Sequence, residues 1–194
     1  MKISVLEIAK TKLRQAYRLA SAYATPRNFD ATERVNFYAD AVLNVPLGSA
    51  LAQQSVSGIL KYADDLPDVE ERVEAYKNAA AFSSLDSAPV RQAVIGLLKN
   101  ADDLPDATAR VEAYRFAAYR SGPSPDTALA QRAMAGMFKH SDGLPDAAAR
   151  VEAYSFVAEY ASPGSDLEKQ AKQKLKELQS TTQPQISKPA AAQL

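Results

Sequence analysis

The sequence predicts an all-α protein, a right-handed α–α solenoid of antiparallel helix pairs with a period of 38–40 residues. Three observations carry this expectation. The pentapeptide Arg-Val-Glu-Ala-Tyr occurs at 72–76, 110–114 and 150–154, and a worn copy, Arg34-Val35-Asn36-Phe37-Tyr38, precedes them. Each full copy follows a Leu-Pro-Asp at one distance: Leu66-Pro67-Asp68, Leu104-Pro105-Asp106 and Leu144-Pro145-Asp146. Asp30, Asp68, Asp106 and Asp146 are therefore spaced by 38, 38 and 40 residues. Self-similarity at about 20–50 residues marks stacked repeats, in which each unit buries its apolar face against its neighbours.

The predicted organisation is one repeat domain over 1–179 and a disordered tail over 180–194. A lone helix over about 3–24 stands in for the second helix of a missing first unit. About four repeats follow, at roughly 28–65, 66–103, 104–143 and 144–179. Within a repeat, Asp68 suits an N-cap because its carboxylate accepts from the unbonded amides of a first helical turn. Glu71 would complete a capping box with it, and Glu33 would do so with Asp30. The first helix then runs over about 69–83.

At about 100° per residue, Val69, Val73, Tyr76 and Ala80 share one stripe. Val111, Tyr114 and Ala118 reproduce it, as do Val151, Tyr154 and Ala158. Glu70, Glu74, Lys77 and Asn78 fall on the opposite, wet face. After a break, a second helix is expected, capped near Asp86, Asp126 or Asp166. Its apolar pattern carries a glycine each time, at Gly58, Gly96 and Gly136. A glycine inside a helix costs about 1 kcal/mol relative to alanine, so its return predicts a neighbouring helix pressed against the backbone. The last helix, about 167–179, loses the glycine and gains Lys169, Lys172, Lys174 and Lys176, a polar face that ends the stack.

Two helices per unit of this length, with small pairs Ala79-Ala80 and Ala117-Ala118 in the first, resemble tetratricopeptide-type repeats. The likeness is closer to the related Sel-one-type repeats. Those place a short turn before a helix of spaced small and aromatic residues, as Leu66-Pro67 before Arg72-Val73, Tyr76 and Ala80 does. The glycine pair of that turn is missing, with Gly143 alone near it. The resemblance implies an α-solenoid that recruits proteins or peptides along its concave first-helix face, and it supplies no catalytic residues.

Composition narrows the function. Charges balance at 23 basic and 23 acidic residues, so no overall field draws the chain to nucleic acid or an anionic membrane. Without cysteine there is no disulfide, thiol nucleophile or thiolate metal site. A single histidine, His140, is a thin inventory for acid–base chemistry, and no phosphate loop or metal-ligand cluster is evident. The expectation is a non-enzyme with no cofactor and no metal. The first ten residues mix charge into their apolar positions, which disfavours a secretory signal, and no stretch is long and apolar enough for a membrane span. A cytoplasmic protein is expected, with export by a route that reads no cleavable signal left open.

Several recurring residues have ordinary structural explanations. Arg34, Arg72, Arg110 and Arg150 flank the apolar stripe, where a bond to the capping Asp or the preceding acidic loop accounts for them. The loop carboxylates are too few and too proline-bound for a calcium site. Tyr38, Tyr76, Tyr114 and Tyr154 read as core residues whose hydroxyls reach a partner at the edge. His140 suits a helix C-terminus. Glu74, Glu112 and Glu152 lie off the stripe; such a ladder suits a basic segment, and equally suits recent duplication or a wet helix face. Where the core pattern holds and the surface changes, specificity is expected: Lys77-Asn78 becomes Arg115-Phe116 and then Ser155-Phe156. These nine residues are the candidate partner-binding set, although Phe116 and Phe156 also suit packing between units. The leading expectation is a protein- or peptide-binding scaffold; the alternative is a structural homo-oligomer joined through its ends, with Leu6, Leu13, Tyr17 and Leu19 as the less protected surface.

Overall fold

The computed structural model describes residues 29–122 and 127–182. Among them are eight α-helices and no strand: α1 (Ala31–Leu43), α2 (Ala50–Tyr62), α3 (Val69–Ala81), α4 (Ala88–Asn100), α5 (Ala107–Arg120), α6 (Ala128–Ser141), α7 (Ala147–Tyr160) and α8 (Asp166–Thr182). One-turn 3₁₀ segments, Ala63–Asp65 and Ala101–Asp103, follow α2 and α4. The helix expected over 3–24, the cap at Asp126 and the tail beyond 182 lie outside the described residues.

Helices pack most closely as α1 with α2, α3 with α4, α5 with α6, and α7 with α8. Each pair also meets the next, through α2–α3, α4–α5 and α6–α7. Lighter contacts join α1 to α3, α2 to α4, α3 to α5 and α4 to α6. The pairs thus stand side by side in a row, odd helices beside odd and even beside even.

Local chemistry starts each helix. Asp30 accepts from Glu33 N at 2.8 Å while Glu33 returns a carboxylate to Asp30 N at 3.1 Å, closing the expected box. Asp68 instead takes both Glu70 N and Glu71 N, so its cap is one-sided. Asp106 and Asp146 accept from Ala109 N and Ala149 N. In α4, α6 and α8 the caps fall within one residue of the aspartates near which they were expected, and α2 is capped by Ser49. Ser49, Ser87 and Thr127 accept from Ala52 N, Val90 N and Ala130 N, and the Ser165 hydroxyl accepts from Glu168 N. The reason is backbone conformation: a cap needs an extended residue, and Ser87 has φ −76° and ψ 156°, whereas Asp86 turns left-handed at φ 64°. Asp166 is already the first residue of α8. The helix expected over 69–83 ends at Ala81, and α8 continues to Thr182, so residues 180–182 are helical rather than tail.

The core is a continuous seam of Val, Leu, Ala and Tyr along the row. Its recurring contact is a tyrosine ring of the odd helix laid on a glycine of its even partner. A methyl group on Gly58, Gly96 or Gly136 would stand 2.5, 2.3 or 2.2 Å from the ring of Tyr38, Tyr76 or Tyr114. The neighbouring helix expected against the backbone at these glycines makes its approach through a tyrosine ring. In α8, Lys174 takes the glycine's place, nine residues after the capping serine just as Gly96 follows Ser87.

Candidate functional site

Two sets of side chains could have carried chemistry, and the structure uses the first to build the row. Three of the four recurring arginines are spent on the loop before their helices, whereas the Arg150 Nε is buried without a hydrogen-bond partner. Arg34 Nε donates to Phe29 O (2.7 Å), Arg72 Nη1 to Leu66 O (2.7 Å) and Arg110 Nε to Leu104 O (2.7 Å). Arg72 Nε also donates to Asn100 Oδ1 at 2.9 Å, and Arg34 Nη1 to the Tyr62 hydroxyl at 2.9 Å.

The acidic loops have a role beyond capping. Asp102 accepts the Tyr114 hydroxyl at 2.8 Å and Lys139 Nζ at 2.9 Å, with His140 Nε2 2.6 Å away. Asp142 repeats this with Tyr154 at 2.7 Å and Lys174 at 2.8 Å. Asp64 does so with Lys99 at 3.1 Å and the Tyr76 hydroxyl. One carboxylate in each of these three loops thus bonds to both helices of the next pair. Lys139, followed by His140 and Tyr114, holds the Asp102 carboxyl well below the usual range against the opposing effect of burial. Tyr76, then Lys99, lowers Asp64 in the same way, and Lys174, then Tyr154, lowers Asp142. Burial, reinforced by the adjacent carboxylate, pushes the phenols of Tyr76, Tyr114 and Tyr154 up.

A carboxyl depressed in the folded state stabilises the fold above its unfolded value, near 3.9, and loses that contribution as pH falls through the folded value. The melting temperature should therefore drop as pH is lowered from about 5 toward 3, where the unfolded chain takes up these protons first. Asp102→Asn should shrink that drop while lowering stability at neutral pH. An unchanged acid profile in the variant would remove Asp102 from this role.

The second set faces an open groove along α3, α5 and α7. Seven of the nine predicted residues line it: Glu74, Lys77 and Asn78 from α3, Glu112, Arg115 and Phe116 from α5, and Phe156 from α7. Its volume is about 660 Å³, and Ala81 and Tyr119 complete the lining. Glu152 reaches it indirectly, through a 2.6 Å ion pair with Arg115, and Lys77 lies 3.9 Å from Glu74. Ser155 is exposed on α7 and does not line the groove. Phe116 and Phe156 are half-buried against the core, so each serves both packing and the groove wall.

Sequence reasoning missed an adjoining pocket of about 420 Å³ between α5, α6 and α7. It shares Tyr119 and Phe156 with the groove and has Ala118, Ala130 and Met134 at its base. Tyr160 stacks on Phe156 with ring centroids 4.5 Å apart. Tyr119 is 71% exposed and Tyr160 50%, a large apolar outlay for positions the core does not use. The signal lay in spacing: Tyr119 follows Phe116 by three residues and Tyr160 follows Phe156 by four, which puts each pair on one helix face. Nearby, Arg120 Nη2 donates to Ala80 O and Ser83 O, tying the end of α5 to the end of α3.

Among the described residues, no group of three or more His, Asp or Glu is placed to hold a metal ion. None of their helices is long and apolar enough to cross a membrane. No family model matches the chain, and no curated protein matches it.

Proposed function

We propose that the chain is a non-enzymatic protein- or peptide-binding scaffold, a right-handed α–α solenoid of tetratricopeptide-like or Sel-one-type repeats with a 38–40-residue period. In this reading a partner segment lies along α3, α5 and α7. One observation carries it: five of the six residues that vary between otherwise similar repeats line a single groove, beside exposed aromatic side chains. A core-forming stack needs no such variation at wet positions, whereas recognition does.

The test is the double variant Phe116→Ala/Arg115→Ala, assayed for capture of partners and for helical circular dichroism. Binding should fall by more than tenfold, as for truncation of an aromatic and an arginine anchor. The helical signal should persist with a lowered melting temperature, because Phe116 is only half-buried against the core and the exposed Arg115–Glu152 pair contributes about 1 kcal/mol or less. Melting of the variant together with loss of binding would assign these residues to packing alone.

A second reading, self-assembly through an end of the row, is favoured by Leu43 and Leu47, both largely exposed near the α1–α2 turn. Mass measured across concentration separates the two; a strict monomer ends the second.

A further inference from the structure

Resting on the groove as a partner site, we propose that its occupant is a basic peptide: an extended segment of a partner protein, one of whose lysine or arginine side chains enters the pocket walled by Tyr119, Phe156 and Tyr160.

The pocket's own chemistry selects this occupant. Its lining includes two carboxylates, Asp86 and Glu159, and no basic residue. The ion pairs among the described residues leave both carboxylates out. Aromatic faces attract a cation, and the apolar base of Ala118, Ala130 and Met134 suits the methylenes of a long basic side chain. A purely hydrocarbon side chain would instead dehydrate the two carboxylates without pairing them.

Asp86 is held at the rim by unusual backbone. It is the described non-glycine residue with positive φ, at 64°, and its Oδ1 lies 2.8 Å from where a Cβ on Gly122 would stand. Gly122, itself at φ 103°, is what leaves room for that carboxylate. A sparsely populated conformation kept beside an exposed aromatic pocket points to use of the side chain it presents.

The adjoining groove is nearly balanced, with Glu112 the lining charge outside the ion pairs. Glu74 and Glu112 line it, and its two cations, Lys77 and Arg115, already sit beside Glu74 and Glu152. At the pocket an acidic side chain would meet like charge, while a basic one is drawn in.

The experiment pans the full chain with a random peptide library displayed on phage, then measures synthetic copies of the enriched peptides by fluorescence anisotropy at two salt concentrations. The expected result is enrichment of peptides with net positive charge whose binding weakens with salt. Asp86→Asn/Glu159→Gln should weaken them about tenfold, the effect of losing charge-assisted bonds. Tyr119→Ala should weaken them severalfold, and its exposure keeps the fold out of the outcome. Enrichment of neutral or acidic peptides, lost in Phe116→Ala/Arg115→Ala, would keep the scaffold reading and overturn the basic occupant. No enrichment at all would overturn both. Concentration-dependent dimerisation abolished by Asp86→Asn/Glu159→Gln would make a second copy the occupant and overturn the proposal.

Discussion

Gly136→Ala should lower the free energy of unfolding by about 1–3 kcal/mol, although alanine is the better helix former by about 1 kcal/mol. The added methyl would stand 2.2 Å from the Tyr114 ring, well inside van der Waals contact. Relief requires the ring to move, and the ring is held at both ends. Its hydroxyl donates to Asp102 at 2.8 Å, and its face stacks on His140 with centroids 5.8 Å apart. Gly96→Ala should behave alike, because Tyr76 meets it at 2.3 Å. Urea denaturation gives the number. Unchanged or raised stability would mean that the ring slides off the glycine freely and that spacing is set elsewhere.

Tyr114→Ala should cost more, about 3–5 kcal/mol, as expected for removing a large buried aromatic side chain. The loss has separable parts. Tyr114→Phe keeps the ring on Gly136 and removes only the hydroxyl, at about 1 kcal/mol, since Asp102 still has Lys139 and His140 beside it. Adding Gly136→Ala to Tyr114→Ala should then be far less than additive, because the methyl would enter space the ring has left. A Tyr114→Ala loss no larger than that of Tyr114→Phe would sink the account.

Much of the helical row is legible in the sequence because its causes are local. A Val-x-x-Tyr stripe and an Asp cap act within one turn, so Val73, Tyr76 and Asp68 announce α3 without reference to its neighbours. The caps of α4, α6 and α8 were legible only to within one residue for an equally local reason: Asp86 and Ser87 are comparable caps by type, and only the backbone turn chooses between them. The loop bonds were hidden differently. Asp64, Tyr76 and Lys99 all recur, but no residue type states that the three converge across a turn and a helix pair. In the candidate site, positions 77, 78, 115, 116 and 156 were readable as wet-face positions opposite a known stripe. Tyr119 and Tyr160 were readable only through their spacing from Phe116 and Phe156, and Leu85 was not, since it stands in a turn, where no helical angle says which way a side chain faces.

The loop carboxylates also bear on how such a chain changes length. Excision of residues 69–106 would join Asp68 to Ala107, a seam between equivalent caps. Asp64 would then precede Tyr114 by the 12 residues that now separate Asp102 from Tyr114, and Lys139 would follow it by 37. Every bond of the lost junction has a ready substitute, because donor and acceptor always come from successive pairs. Unequal exchange between the near-identical pentapeptide segments would therefore add or delete whole pairs while leaving each surviving junction chemically intact. The groove would grow or shrink in steps, and copy number becomes a variable that inheritance can tune separately from the surface each copy displays.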